Sequence, residues 1–121
     1  MKLQKITKIF GKTLAVNDVS LEIENGEFLT LLGPSGCGKT TILRIIAGLE
    51  NVTSGVVQLE GVDITNLNPT KRDISIMFQD YALFPHMTII ENVSYGLRMR
   101  GISKTAREKR AIEWLKTMQL S

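Results

Sequence analysis

The segment Gly33-Pro34-Ser35-Gly36-Cys37-Gly38-Lys39-Thr40 decides the fold, because it fits the pattern G-x-x-x-x-G-K-[ST] between two apolar runs. The run Glu27–Leu32 before it is typical of a short buried strand, and Thr41–Ala47 after it is typical of a helix. A strand, a glycine-rich loop of this kind and a helix, in that order, form the phosphate-binding unit of an α/β domain.

The residue types in this loop suit the binding of a phosphate chain. Glycines let the backbone curl so that several N–H groups point at one anion, and the following helix adds the positive end of its dipole. The Lys39 ammonium would reach the β- and γ-phosphates, and the Thr40 hydroxyl would bind Mg²⁺. The segment therefore predicts a nucleotide site; the alternative is an ordinary glycine-rich turn.

The composition is that of one small globular domain with 121 residues and a net charge of +3. No apolar run approaches the roughly 18–20 residues that span a bilayer, and the start does not read as a signal peptide, so a cytoplasmic location is expected. Cys37 is the only cysteine, which excludes an internal disulfide; it reads as a small loop residue, with a redox or nucleophilic thiol as the alternative. The basic stretch Lys104–Arg110 reads as a solvated helix face, so no nucleic-acid partner is expected.

Strand patterns occur on both sides of the loop. Residues 2–10 alternate and end in a turn after Phe10, and the stretch Ala15–Ile23 alternates in the same way before the turn Asn25-Gly26. Val56–Leu59 is a further predicted strand. Ile74–Phe78 reads as a buried strand with Gln79 at its carboxyl end, where ligands of α/β sheets gather.

Helix signals define the rest of the chain. The helix after the loop is expected to end at Gly48, a natural C-cap. Thr88 and Glu91 have the spacing of a capping box, so a helix should begin at Thr88 and end at Gly101. Thr105 and Glu108 suggest a second box. This second box predicts the start of a last helix, which runs toward Leu120. The apolar side of that helix consists of Ile112, Leu115 and Met118.

These residues together resemble the ATP-binding subunits of ABC transporters, over the whole chain and about the first half of their nucleotide-binding domain. In that family an aromatic residue before a glycine stacks on adenine. Phe10-Gly11 fits that pattern, and Val16 would flank the same ring. The alternative for Phe10 is a core aromatic at a strand end. Gln79, within Met77-Phe78-Gln79-Asp80, matches the glutamine of the family's Q-loop, whose amide oxygen would bind Mg²⁺ or the attacking water.

The resemblance implies an α/β fold: a P-loop NTPase (ABC ATPase) core with an N-terminal antiparallel β subdomain, incomplete at its C-terminus. It divides the chain into an antiparallel β part (residues 1–26 and 55–65), a P-loop βα unit (27–49), a Q-loop (78–87) and the start of a helical subdomain (88–121). The implied ligands are ATP and Mg²⁺. The candidate ATP-binding residues are Phe10, Val16, Gly33, Ser35, Gly36, Cys37, Gly38, Lys39, Thr40 and Thr41, and the candidate metal ligands are Thr40 and Gln79.

The sequence Gly26–Thr41 is similar to import-type subunits for polyamines, sugars and ferric iron. The segments most similar to the ATPases of spermidine/putrescine importers are Tyr81–Thr88, Glu91–Val93 and Gly96–Met99. The resemblance implies a second copy of the subunit as partner, and a membrane permease contacting about Tyr81–Met99. It implies a peripheral position on the inner face of the cell membrane. The family's switch histidine lies farther downstream, so His86 is not its counterpart.

The family's signature loop, its Asp-Glu strand and its switch histidine do not occur before Ser121. We therefore expect this polypeptide to bind nucleotide or phosphate at best and to be nearly inactive as an ATPase. Its central sheet should have open edges that pair with another copy or leave the nucleotide poorly gripped. Two alternatives remain open: a P-loop nucleotide kinase resembling guanylate kinase, and a non-enzymatic module that binds a permease.

Overall fold

An antiparallel sheet and one helix make up the first part of the molecule. The computed structural model describes residues 1–80 and 82–120, which divide into two units, Met1–Ile76 and Met77–Ser121. The elements of the first unit are β1 (Lys2–Phe10), β2 (Thr13–Glu22), α1 (Lys39–Ala47), β3 (Ser54–Leu59), β4 (Val62–Asp63) and a 3-10 turn (Pro69–Lys71). Those of the second unit are α2 (Ile89–Met99) and α3 (Lys104–Thr117).

The sheet has the order β2-β1-β3-β4, and all its neighbours are antiparallel. The central strand is β1, in which Lys2 pairs with Glu22 on one side and with Gln58 on the other. The tight turn between β1 and β2 contains Gly11, whose φ is 58°. Strands β1 to β4 therefore form a single antiparallel sheet.

The core of the first unit lies between this sheet and α1. Its buried side chains are aliphatic and come from β1, β2, α1, β3 and the segment after β4: Leu3, Ile6, Val16, Ile45, Val57 and Ile64. Fully burying an aliphatic side chain contributes about 1.5–3 kcal/mol. This packing fixes α1, and with it the phosphate loop that precedes α1, on the sheet.

The two strands predicted for a central parallel sheet do not form. Neither Glu27–Leu32 nor Ile74–Phe78 is a strand. Phe28 and Leu32 are 94% and 89% exposed and Met77 is 90% exposed, whereas Ile74 is partly buried against the core. Strands of a parallel sheet need ladder partners and cover on both faces, and no described segment pairs with either run. The prediction of strands at these two places is wrong for this chain.

The buried side chain of Arg72 holds the C-terminal end of α1. Gly48 ends the helix as predicted, with a φ of 78°. The guanidinium of Arg72 donates to the carbonyls of Ile45 at 2.8 Å, Ile46 at 2.9 Å, Thr65 at 2.9 Å and Leu67 at 2.9 Å. Burial lowers the pKa of Arg72 from its ordinary value. The arginine thus cross-links the helix end to the segment that follows β4.

The second unit confirms one predicted capping box and contradicts the other. Thr88 Oγ1 accepts from the Glu91 N–H at 3.2 Å, and Glu91 Oε2 accepts from the Thr88 N–H at 2.8 Å. By contrast, α3 begins at Lys104 after Ser103, and no side chain caps it. Because Thr105 already lies inside the helix, it cannot serve as an N-cap. The helix also ends at Thr117, short of Leu120.

Candidate nucleotide-binding site

The loop Gly33–Thr40 runs directly into α1, whose first residue is Lys39. Gly36 and Gly38 have φ values of 81° and 94°, a region that side chains with a Cβ rarely adopt. The Cys37 N–H donates to the Pro34 carbonyl at 3.3 Å, which closes a turn inside the loop. The two glycines therefore give the loop the curled backbone that the sequence pattern predicts.

The Lys39 ammonium lies inside this curl. It donates to the carbonyl of Gly33 and, at 3.1 Å, to the carbonyl of Pro34. The cation is thus held by main-chain oxygens of its own loop. An ammonium in this place is available to a polyphosphate that enters the curl, because charge-assisted bonds to phosphate oxygens are stronger than bonds to neutral carbonyls.

The N-terminal end of α1 offers amides to an anion. The helix N-cap is Gly38, and no side chain caps the first turn. The first bond within the helix runs from the Ile42 N–H to the Gly38 carbonyl at 2.9 Å. The amides of Lys39, Thr40 and Thr41 precede that bond and have no carbonyl in the helix to donate to. With the helix dipole, these amides fit a phosphate group.

The loop rests on β2. A Cβ atom on Gly38 would lie 2.5 Å from the Ala15 carbonyl oxygen and 3.3 Å from Val16 Cγ2. Val16 is 4% exposed and belongs to the core, so it supports the loop from the sheet side. The predicted contact of Val16 with adenine remains a prediction.

Phe10 ends β1 and is 45% exposed, so its ring is not a core aromatic. The Lys8 ammonium lies 4.8 Å from the centroid of the ring. Lys8 is in turn the ladder partner of Val16, which abuts Gly38. The candidate adenine-stacking residue and the phosphate loop therefore belong to one unit and are joined through β1 and β2.

Gln79 belongs to the second unit and lies in an exposed turn directly after residues 74–78. Thr40, the other candidate metal ligand, is exposed in the first turn of α1. Their joint binding of Mg²⁺ remains a prediction. The amide group of Asn92 fastens the segment before α2, since its oxygen accepts from the Phe84 N–H at 2.8 Å and its nitrogen donates to the Met87 carbonyl at 3.2 Å. Tyr81, the first residue of the predicted permease surface, lies outside the described residues.

The family profile described as ABC transporter matches residues 16–121. The chain belongs to the ABC transporter family. Among curated relatives, a spermidine/putrescine import ATP-binding protein (PotA) of Aggregatibacter actinomycetemcomitans is 52% identical over 120 residues, which cover 99% of this chain and 32% of that protein. An Fe(3+) ions import ATP-binding protein (FbpC) of Pasteurella multocida is also 52% identical, over 98% of this chain and 34% of that protein.

Solved structures of this family confirm the fold class. An ATP-binding cassette solved as a dimer in a post-hydrolysis state with ADP and Pi has a TM-score of 0.87 and 36% identity, covering 99% of this chain and 57% of that one. The chain is thus an ABC ATPase fold in part, and it spans about a third of the length of the curated relatives it matches. Within residues 1–80 and 82–120, no helix combines the length and apolar character needed to cross a membrane.

Two residues beside the Phe10 ring were not predicted from the sequence. Lys8 precedes Phe10 by two residues on the same strand, and this spacing places both side chains on one face. The proximity of Lys8 to the ring could therefore have been predicted from the sequence. Glu50, which pairs with Lys8, lies far away in the sequence and gave no such signal.

Proposed function

We propose that this chain is the nucleotide-binding part of the ATP-binding subunit of an ABC importer. In the whole protein, binding and hydrolysis of ATP would be coupled to polyamine (spermidine/putrescine) uptake through a membrane permease. The observation that carries the proposal is the uncapped N-terminus of α1, with the Lys39 ammonium held inside the loop that precedes it. Family membership and the import proteins among the relatives support it.

In the proposed site each residue has a separate task. Amides of the loop and of the first helical turn bind the phosphate oxygens, and the Lys39 ammonium neutralises the β- and γ-phosphates. The Thr40 hydroxyl and the Gln79 amide oxygen are the proposed ligands of Mg²⁺, which would offset phosphate charge when bound. The exposed ring of Phe10 stacks on adenine.

We assign hydrolysis to the whole protein and propose that the 121-residue chain alone binds nucleotide without appreciable turnover. This chain spans 32% of the polyamine-import relative, and phosphoryl transfer depends on positioning several groups at once. A second copy of the subunit is the proposed partner, supported by the dimeric state of the solved cassette. The permease is proposed to contact about Tyr81–Met99, at the cytoplasmic face of the membrane.

The only cysteine makes nucleotide binding directly measurable. Cys37 is exposed within the phosphate loop, so we expect MgATP to slow its alkylation by iodoacetamide several-fold. Lys39→Ala should abolish this protection, whereas Lys116→Ala, on an exposed residue at the end of α3, should keep it. Equal alkylation rates with and without MgATP in the unaltered chain would refute nucleotide binding at this loop.

Ferric iron is the second candidate substrate. The ferric-iron import protein is 52% identical to this chain, as is the polyamine import protein. Disrupting the gene in its native host separates the two. We expect uptake of radiolabelled putrescine or spermidine to fall while uptake of ferric iron is unchanged. The opposite pattern would assign the protein to iron import, and no change in either would reject both substrates.

A further inference from the structure

Lys8 is a cation with three partners close to the candidate adenine site. Its side chain is 12% exposed, and its Nζ atom lies 2.6 Å from Glu50 Oε1. The same atom donates to the Asn51 carbonyl at 2.6 Å and lies 4.8 Å from the centroid of the Phe10 ring. Such a network orders a long side chain far more than a single exposed ion pair does.

Main-chain contacts hold the partners of Lys8 in place. The Ile9 N–H donates to Thr53 Oγ1 at 3.0 Å, and the Thr53 N–H donates to the Thr7 carbonyl at 2.9 Å. The loop after α1 is therefore tied to the end of β1, where the aromatic ring lies. The hydrogen bond from Lys8 also lowers the pKa of Glu50, so this carboxylate stays charged at neutral pH.

The anchor of Lys8 and the phosphate loop lie at opposite ends of α1. This helix begins at Lys39, inside the loop, and ends at Ala47, shortly before Glu50. The loop thus lies at one end of α1, and the anchor of Lys8 follows the other end. Lys8 lies over one face of the Phe10 ring, so a planar ligand would have to stack on the opposite face.

We infer that Lys8 is a positioning residue for the nucleotide base: held by Glu50 and Asn51, it fixes the Phe10 ring so that its free face meets adenine. The inference rests on the proposed nucleotide site. It predicts that loss of Lys8 weakens the binding of the base and leaves the binding of the phosphates unchanged. A merely structural lysine would weaken both.

Two ligands separate these contributions in NMR experiments on the 121-residue chain. Saturation transfer to adenine H8 and H2 of ATP reports contact with the base, and ³¹P line broadening of inorganic tripolyphosphate reports binding at the phosphate loop. We expect Lys8→Met to lower the affinity for ATP by about fivefold, with a parallel loss of adenine saturation transfer. Tripolyphosphate affinity should stay within about twofold of the unaltered value, because the phosphate contacts are unchanged.

Matched variants complete the test. Lys12→Met removes the same charge from the turn beyond Phe10 and should leave both ligands unaffected. Glu50→Gln should lose part of the adenine saturation transfer, and Phe10→Ala should lose all of it. Lys8→Arg keeps the positive charge and should retain the adenine contact. If Lys8→Met fails to fold, the binding of ATP and of tripolyphosphate is compared between Glu50→Gln and Lys8→Arg instead.

The inference is overturned if variants of Lys8 or Glu50 keep full adenine contact while Phe10→Ala loses it. It is overturned equally if they weaken ATP and tripolyphosphate alike. Should the unaltered chain bind neither ligand, the proposed nucleotide site fails as well. That result can be told apart from the two outcomes that overturn only the role of Lys8, because in both of those the unaltered chain binds ATP and tripolyphosphate.

Discussion

The carbonyl oxygen of Ala15 lies 2.5 Å from the place that a Cβ atom on Gly38 would occupy. The phosphate loop therefore packs on the main chain of β2, and the φ of 94° at Gly38 is unfavourable for any other residue. We expect Gly38→Ala to push the loop off the strand and to lower ATP affinity by at least about tenfold, because the amides would no longer converge. ATP protection of Cys37 against alkylation measures this loss.

Gly61 is the matched control for this prediction. Its φ is 81°, but a Cβ there meets nothing within 4 Å. Gly61→Ala should therefore cost only the backbone strain, about 1–2 kcal/mol of unfolding free energy, and leave nucleotide binding unchanged. If both variants reduce binding equally, the contact with Ala15 is not what shapes the loop.

Arg72 is expected to contribute more to stability than any exposed charge of the first unit. Its guanidinium satisfies four carbonyl oxygens, two of them at the end of α1. Arg72→Ala would remove all four of these largely buried hydrogen bonds, which we expect to cost roughly 2–4 kcal/mol of unfolding free energy. Urea unfolding followed by circular dichroism measures it. The neighbouring exposed Lys71 provides the control, since Lys71→Ala should change stability by less than about 0.5 kcal/mol.

Local signals in the sequence predicted all three helices, and they predicted both ends of α1 and the start of α2. The start of α1 beside Gly38, its end at Gly48 and the capping box of Thr88 and Glu91 all follow from residue types a few positions apart. The second box failed because Ser103 already takes the N-cap position, one residue before α3. Spacing alone does not decide between two neighbouring candidates for a cap.

Features that depend on distant partners were beyond local reasoning. Glu27–Leu32 has the composition of a buried strand, but a strand forms only where another segment supplies its ladder. Arg72 gives no sign of burial in the sequence, because its acceptors are main-chain carbonyls at the end of α1 and in the segment after β4. For the site, the phosphate loop and Phe10 were predicted, whereas the Lys8–Glu50 pair behind the ring depends on a contact between β1 and the loop after α1.

The capping box of α2 should contribute measurably to stability. Thr88→Ala removes the side-chain oxygen that accepts the Glu91 N–H, so we expect a loss of about 1 kcal/mol in unfolding free energy. Thr105→Ala is the paired control, because Thr105 lies inside α3 and alanine has the higher helix propensity. That variant should be neutral or slightly stabilising. Equal losses in the two variants would contradict the assignment of the cap to Thr88.

Acid should destabilise the chain through a small set of carboxylates. The main-chain amide of Thr88 lowers the pKa of Glu91 from its ordinary 4.5, the Lys8 ammonium lowers the pKa of Glu50 from 4.5, and the Thr65 hydroxyl lowers the pKa of Asp63 from 3.8. A carboxyl with a lowered folded-state pKa binds protons more weakly when folded. Its stabilising contribution is therefore complete above the ordinary pKa and is lost as pH falls through the folded value.

Glu91→Gln tests this sign directly in urea unfolding experiments. The variant should be less stable than the unaltered chain at about pH 7. The difference should shrink as the pH falls below 4.5 and through the lowered folded-state pKa of Glu91, where its carboxylate becomes protonated. A constant difference across this range would show that the carboxylate charge of Glu91 does not stabilise the folded state.

The run Phe28–Leu32 should make the chain self-associate. It is apolar, it is not a strand, and no described segment pairs with it, so its main-chain N–H and C=O groups are available to a second copy. We expect sedimentation velocity to show dimers or larger species as the concentration rises into the range of tens of micromolar. Phe28→Asp should restore the monomer, because a charge opposes both apolar contact and edge pairing. Met99→Asp removes an exposed apolar side chain from α2 instead and should leave association unchanged. A chain that stays monomeric at every concentration, or that Met99→Asp makes monomeric, would show that this segment is not the associating surface.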